Sequence, residues 1–458
     1  MGIVFKVKAF FSTLRPGRLL IVLYVSAILT ASILLYLPVF ASGERLSFID
    51  ACFTATSALC VTGLIVVDTG SAFNTAGQVL ILILFQVGGL GIMTLSTFFF
   101  QLIGRRVSSR DRQLLYDTYT PGHKGEIRQL LAAVVKYSLV IELAGAVILT
   151  LNWMGDYGFV KAFYSAAFHA VSAFANAGFS LYPDSMIRYQ HDLVTNLVFY
   201  GLIFLGGIGF VIILRIENMA LKRGLRRKPG LHSKIVITVS AVLILSGATM
   251  FLLLEYNNVL DGMSILQKLE IAFFQSMTAR TAGFNTVDMT QLSNATLLMM
   301  MFLMFVGASP GSCGGGIKTT TLGVLIALMY NRIRGGERVN IASRTLPSDI
   351  VNRAVSVFMV GVFVVFSFTA ILMVTQFAEI SFLDSRGMFV EYVFETVSAF
   401  GTVGLSMGVT ESLSGFGKFL IIILMLVGRI GPLSVAYALA RRPGRIKLEF
   451  AEENVMIG

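Results

Sequence analysis

Four stretches of this chain read FTATSALCVTGL (Phe53–Leu64), FHAVSAFANAGF (Phe168–Phe179), FFQSMTARTAGF (Phe273–Phe284) and FETVSAFGTVGL (Phe394–Leu405). Aligned on Gly63, Gly178, Gly283 and Gly404, all four carry phenylalanine ten residues earlier. Three carry serine six residues earlier, at Ser57, Ser172 and Ser398. The glycines stand 115, 105 and 121 residues apart, so the chain is a fourfold repeat of nearly constant period. Each stretch predicts a helix of about 10–14 residues, too short to cross a bilayer that needs about 20.

The sequence on either side of each stretch is long enough to cross. Charge-free runs cover Leu19–Phe40, Thr75–Ile103, Leu193–Leu214, Ile235–Leu254, Met289–Ile317 and Val355–Phe377, and Tyr137–Trp153 and Phe419–Ala440 each carry one internal charge. Eight spans are therefore expected, two per repeat. Of the 458 residues 55% are hydrophobic and only 13% charged, and the mean hydropathy is +0.79; a water-soluble domain has no use for so much apolar surface.

The net charge of +11 is a topology signal. Lysine and arginine number four before Leu19, six in Arg105–Arg128, six in Lys222–Lys234, five in Arg332–Arg353 and four in Arg441–Lys447, while acids such as Asp50, Asp68, Asp156, Asp184, Asp261 and Asp288 fall in the opposite loops. This positive-inside alternation puts both termini in the cytoplasm and excludes a nucleic-acid partner. The apolar run from Leu19 is too long for a signal peptide and reads as a retained first helix. Cys52, Cys60 and Cys313 form neither a disulfide framework nor a metal knuckle.

With that topology each short helix enters and leaves on the outer side. Non-helical backbone at membrane depth is tolerated only where protein buries it or where it lines a wet cavity, so four such segments around one axis make a pore. To aim successive carbonyls at that axis the chain must visit left-handed conformations that a β-carbon penalises, which explains a glycine after each helix. Rings of carbonyls replace the hydration shell of potassium, and Thr402-Val403-Gly404-Leu405-Ser406 is close to the TVGYG filter of potassium channels. The expected ion-binding residues are Val61, Thr62 and Gly63; Asn176, Ala177 and Gly178; Thr281, Ala282 and Gly283; and Thr402, Val403 and Gly404, with K+ at their carbonyls.

These loops and their flanks resemble the potassium-transporter superfamily of Trk, Ktr and HKT proteins over essentially the whole chain. The length, the span count and the ending Glu452-Glu453-Asn454-Val455-Met456-Ile457-Gly458 are most similar to KtrB-type membrane subunits. The resemblance implies a bacterial inner (plasma) membrane location, a homodimer with one pore per copy, and a cytoplasmic ring of KtrA-like (RCK) regulatory subunits that would carry the nucleotide. No cofactor is expected in this chain beyond K+ as the transported ion. Serine at the first filter glycine accompanies sodium permeation in the superfamily. All four positions are glycine here, which implies potassium selectivity and leaves sodium dependence open. The basic cytoplasmic loops are the surface offered to the ring, or to lipid headgroups.

The second helix of each repeat has its own signature: Gly88-Gly89-Leu90-Gly91, Gly206-Gly207-Ile208-Gly209 and Gly428-Arg429-Ile430-Gly431. Close helix approach suffices to explain the glycines. Arg429 is different, since a charge at this depth should face a water-filled interior rather than snorkel; the resemblance agrees in placing an arginine below the filter.

The third repeat instead runs Gly307-Ala308-Ser309-Pro310-Gly311-Ser312-Cys313-Gly314-Gly315-Gly316-Ile317-Lys318, starting 24 residues after Gly283, the distance from Gly404 to Gly428. Five glycines and a proline cannot hold a continuous helix, so a break below the filter is expected. It reads as a gate, and the resemblance identifies it with the family's intramembrane loop. It is not a P-loop, because Ile317 intervenes before Lys318.

The expected organisation is all-α, with pseudo-fourfold M1–pore-loop–M2 repeats around a central pore: a cytoplasmic N-terminus (1–18), repeats at 19–104, 128–221, 234–331 (gating loop 307–318) and 353–441, and a cytoplasmic tail (442–458). Glu142 is an intramembrane acid with either a functional or a hydrogen-bonded structural reading. Arg280 is expected to brace the third loop through an acid, or to tune the outer mouth. His169 reads as a satisfied interior histidine. No triad, metal cluster or carboxylate pair points to an enzyme. The rival to a pore is an alternating-access cation symporter, which inverted repeats would mark; these repeats run parallel.

Overall fold

The computed structural model describes residues 16–43, 45–90, 127–221, 230–376, 382–432 and 435. The first repeat gives α1 (Pro16–Tyr36), the short α2 (Phe48–Cys60) and α3 (Thr75–Gly89). The second gives α4 (Ile127–Tyr157), the short α5 (Phe159–Ala175), α6 (Leu193–Ile208) and α7 (Phe210–Leu221). The third gives α8 (Leu231–Glu255), the short α9 (Ile265–Thr278), α10 (Asn294–Phe305) and α11 (Thr319–Ile333). The fourth gives α12 (Ser348–Gln376), α13 (Phe382–Gly401) and α14 (Gly415–Ile430). Strand pairing among the described residues is confined to Asn340–Ile341 with Arg344–Thr345, a hairpin in the basic linker before α12. The continuation of the second span to Ile103, the N-terminal residues 1–15, the tail from 442 and most of the basic segments Arg105–Arg128 and Lys222–Lys234 lie outside the described residues.

Local chemistry sets the helix starts. α3, α6, α10 and α14 each open on a polar N-cap whose side chain accepts a free helix N–H: Asn74 from Gly77, Asp192 from Val194, Ser293 from Thr296 and Ser414 from Gly417. On the short helices, Ser47 caps α2, and Ser264 with Gln267 forms a capping box on α9.

Among the described residues, three helical stretches are long and apolar enough to cross a membrane, within α4 (Ala132–Tyr157), α8 and α12. Their outward faces are apolar: Val374 is 75% exposed and Phe366 72%, a pattern suited to lipid. Two of the uninterrupted spans expected from the sequence are broken. Gly209 (φ +99) divides Leu193–Leu214 into α6 and α7, and of Met289–Ile317 only Asn294–Phe305 is α-helix, after a 3-10 turn at Met289–Gln291. In the fourth repeat Gly431 (φ +93) ends α14 at Ile430, and most of the expected stretch from there to Ala440 lies outside the described residues.

The repeats close into a cycle. Each first helix packs on its own pore helix, α1 on α2, α4 on α5, α8 on α9 and α12 on α13. Each second helix packs on the pore helix of the next repeat, α3 on α5, α6 on α9, α10 on α13 and α14 back on α2. Phenylalanine fills this assembly. Phe53, Phe168 and Phe394 are fully buried, and inside a bilayer they hold neighbouring helices by close packing and not by leaving water. In the third repeat Phe273 stays half-buried beside Tyr200, at 5.1 Å between ring centroids, and Phe274 takes the interior place. At the seam between last and first repeats, Lys418 pairs with Asp50 at 2.7 Å.

Candidate ion pathway

The four loops that follow the short helices repeat one backbone conformation. Two residues before each glycine the chain turns left-handed, at Val61 (φ 57), Asn176 (57), Thr281 (74) and Thr402 (51), and the glycines follow at φ 91, 70, 81 and 96. The left-handed turns expected of these loops thus fall on non-glycine residues as well as on the glycines. A β-branched residue held there costs about 1–3 kcal/mol, and three of the four are β-branched, so the surrounding structure overrides local preference.

The serine pattern explains part of that hold. Ser57 accepts from Gly63 N and Ser398 from Gly404 N, both at 3.1 Å, while the Ser172 hydroxyl donates to Phe179 O at 2.8 Å. The third repeat has Met277 in that place, and the neighbouring Thr278 hydroxyl donates to Phe284 O at 2.5 Å.

The glycines meet in a ring. A β-carbon on Gly63 would lie 2.6 Å from Ala177 O; on Gly178, 3.1 Å from Ala282 O; on Gly283, 2.2 Å from Val403 O; and on Gly404, 2.3 Å from Thr62 O. Each loop leans on the carbonyl that precedes the next glycine, and the fourth returns to the first. The Thr62 hydroxyl and the Asn176 side-chain oxygen are buried without a partner among the described residues. The Asn176 amide nitrogen donates to Thr281 Oγ1 at 3.3 Å.

Against this ring lies the segment between α10 and α11. Its neck is pinched where Ile317 N donates to Phe305 O at 3.2 Å, and Gly307 is an obligate glycine, since a β-carbon there would meet Gly315 O at 2.3 Å. The break in α6 explains how the segment is held. Gly209 interrupts the helix, so the carbonyls of Gly206 and Gly207 accept from Cys313 N (3.0 Å) and Ser309 N (3.1 Å), and Phe210 N donates to Gly311 O (2.9 Å). Bonds that a continuous helix would keep for itself are exchanged with the segment. On the filter side, Gly315 N donates to Thr402 Oγ1 at 2.9 Å, and a β-carbon on Gly314 would strike Thr281 Oγ1.

Two cations fasten the arrangement. Lys318 Nζ folds back to donate to Gly314 O at 2.7 Å and Gly315 O at 3.3 Å. Arg429, 6% exposed, forks: Nη1 donates to Cys313 O of the segment and Nη2 to Gly88 O at the end of α3. All the sequence-predicted residues at 61–63, 176–178, 281–283, 402–404 and 307–318, with Arg429, thus gather in one continuous region.

Other residues find different surroundings. Gln86 of α3 donates to both Glu142 carboxylate oxygens at 3.0 Å. His169 bonds Ser165 O through Nδ1 (2.8 Å) and accepts from the Ser180 hydroxyl at Nε2 (3.0 Å). No acid reaches Arg280 among the described residues; its one hydrogen bond is from Nη2 to Ser240 Oγ at 3.1 Å, which corrects the expected carboxylate brace. Glu395, fully buried in α13, was not singled out from sequence. It accepts from the Ser406 hydroxyl at 2.8 Å and from the Thr410 hydroxyl, just beyond the fourth filter glycine. An acid directly after the repeated Phe394, the one charge within Phe394–Leu405, was the available signal.

The sequence pattern of TrkH, described as a cation transport protein, matches residues 19–444. The chain belongs to this family. Among its TrkH-family relatives, the Ktr system potassium uptake protein B of Vibrio alginolyticus is 38% identical over 443 residues, covering 96% of this chain and 94% of that one. The potassium/sodium uptake protein NtpJ of Enterococcus hirae is 38% identical over 453 residues, covering 97% and 98%. The crystal structure of the potassium transporter TrkH from Vibrio parahaemolyticus superposes with a TM-score of 0.71 over 93% of this chain and 84% of that one, at 19% identity. The all-α TrkH fold, built from pseudo-repeats, is thereby shared.

Proposed function

We propose that this chain takes up potassium across the bacterial inner membrane through the ring of four loops, with both termini in the cytoplasm. The ring carries the reading: four loops of one conformation, each packed on the carbonyl preceding the next glycine, supply the stacked oxygens that a dehydrated potassium ion needs. The relatives named for potassium uptake support it. The barrier lowered is that of desolvation. The segment 307–318 acts as the gate, closed in this conformation by its bonds to α6, Thr402 and Arg429. The working units are the repeats 19–104, 128–221, 234–331 and 353–441. The protein works as a homodimer on a cytoplasmic RCK ring of the kind that a Ktr system implies. Alternating access is not favoured, since the four repeats share one orientation around one centre.

Purified protein in potassium-depleted proteoliposomes, with potassium uptake competed against sodium, tests this reading. Uptake that does not discriminate between the two ions would sink it. Gly63→Ser should raise sodium permeability relative to potassium by about tenfold, a change of about 1.4 kcal/mol. The new side chain falls where a β-carbon already lies 2.6 Å from Ala177 O and 3.0 Å from Gly178 Cα, so the loop must shift. Unchanged relative permeability at normal expression counts against a filter at this position.

A further inference from the structure

Beyond each filter glycine the chain runs outward along its own pore helix. In three repeats a polar side chain of that helix bonds a hydroxyl eleven residues further on. His169 Nε2 accepts from Ser180 Oγ at 3.0 Å, Gln275 Nε2 donates to Thr286 Oγ1 at 3.0 Å, and Glu395 Oε2 accepts from Ser406 Oγ at 2.8 Å. The third pair stands one position later in its repeat, just as Phe274 takes the interior place of Phe273, so the same face of the helix is used. In the first repeat the corresponding residues are Thr54 and Ile65, and an isoleucine side chain can make no such bond.

The fourth repeat carries the device furthest. Glu395 is fully buried and uses both carboxylate oxygens, Oε2 for Ser406 and Oε1 for the Thr410 hydroxyl in the helical turn Val409–Ser412. Ser406 is committed on its other side too, where its oxygen accepts from Gly408 N at 3.0 Å. One turn along α13, Ser398 O accepts from Val403 N at 2.9 Å and Ser398 Oγ from Gly404 N at 3.1 Å. The pore helix therefore grips this loop on both sides of the Gly404 and Leu405 carbonyls. Gly404 in turn abuts Thr62 O of the first loop, the loop with no polar pair of its own. Any slack at Ser406 is passed across that seam.

We propose that Glu395 is a positioning residue of the filter. By holding Ser406 and Thr410 it fixes where the Gly404 and Leu405 carbonyls point and, through Gly404, how the first loop is seated. Discrimination by carbonyl rings depends on the number and placing of those oxygens, so the brace contributes to the preference for potassium over sodium. Glu395 acts through the loop and not on the ion. The inference rests on the ring of four loops being the filter.

Potassium and sodium uptake by the full chain, measured in the same proteoliposomes, tests it. Ser406→Ala and Glu395→Gln should each raise sodium permeability relative to potassium by about three- to fivefold, as expected for one lost buried hydrogen bond. The double variant should go no further than the larger single one, because both remove the same contact. Ser406→Thr keeps the hydroxyl and should keep the wild-type ratio. Glu411→Gln, which removes an exposed acid close by in the sequence, should keep it as well and so separates the brace from charge at the mouth. Ser406→Ala, on the partly buried arm, serves if Glu395→Gln does not fold. An unchanged ratio in Ser406→Ala, even with reduced uptake or melting temperature, leaves the brace merely structural and overturns the proposal. Additive effects in the double variant, or a shift in Glu411→Gln equal to that in Glu395→Gln, also overturn it. A wild type that takes up both ions alike sinks the filter reading itself, and this inference with it.

Discussion

Deleting Ser312–Gly315 should raise potassium flux at least tenfold and remove most of its dependence on a cytoplasmic regulator. Those four residues carry Cys313 N on Gly206 O, Cys313 O under Arg429, Gly314 O under Lys318 and Gly315 N on Thr402 Oγ1. Each bond contributes about 0.5–1.5 kcal/mol, and those to the charged groups about 1.5–3. Their loss is therefore larger than the roughly 1.4 kcal/mol that separates tenfold populations. The neck between Phe305 and Ile317 lies outside the deletion and gives the shortened loop a way to close. Flux into proteoliposomes at matched protein density reads the outcome. Stable protein with lowered flux would mean that the segment is a scaffold.

Arg429→Ala should have the next largest effect, again an increase. Two terms act together. An unshielded charge near the path repels potassium by about 4 kcal/mol at 4 Å and an effective dielectric near 20, and the guanidinium ties Cys313 O to Gly88 O. Lysine would keep the charge, but its compact ammonium lacks the fork by which two separate nitrogens reach carbonyls on different elements, so Arg429→Lys should be intermediate. Combining each variant with the loop deletion separates the terms. The tie disappears with the loop, so the Ala effect should shrink in that background. Strictly additive effects would reduce Arg429 to a charge barrier, and no effect in either background would place it off the path.

Much of this site could be read in the residues because its causes are local and repeated four times. A glycine that must face a neighbour's carbonyl recurs at Gly63, Gly178, Gly283 and Gly404, and in three of the four repeats a serine that holds the loop backbone stands six residues before it. The break in the third repeat was legible because five glycines and a proline leave helix no support. Features with non-local causes were hidden. Gly209 and Gly431 look like the packing glycines that precede them; what breaks α6 at Gly209 is the competing bonds offered by a segment a hundred residues away. Val61, Thr281 and Thr402 argue locally against the left-handed backbone they adopt, because β-branching disfavours it and only the closed ring enforces it. The Arg280 surroundings depend on how α6 and α8 meet, which no motif records.

The closed cycle also dictates the order in which the protein can be completed. The outer flank of α2, an element finished by residue 60, is covered by α14, which begins at residue 415, and the Asp50–Lys418 pair spans 368 positions. Such distant partners meet late and at high loop-closure cost. Throughout synthesis the first pore helix waits with one flank bare in the bilayer, and a product released before residue 415 holds three of its four seams but no closed ring. It is α14 that turns an open arc into a closed ring.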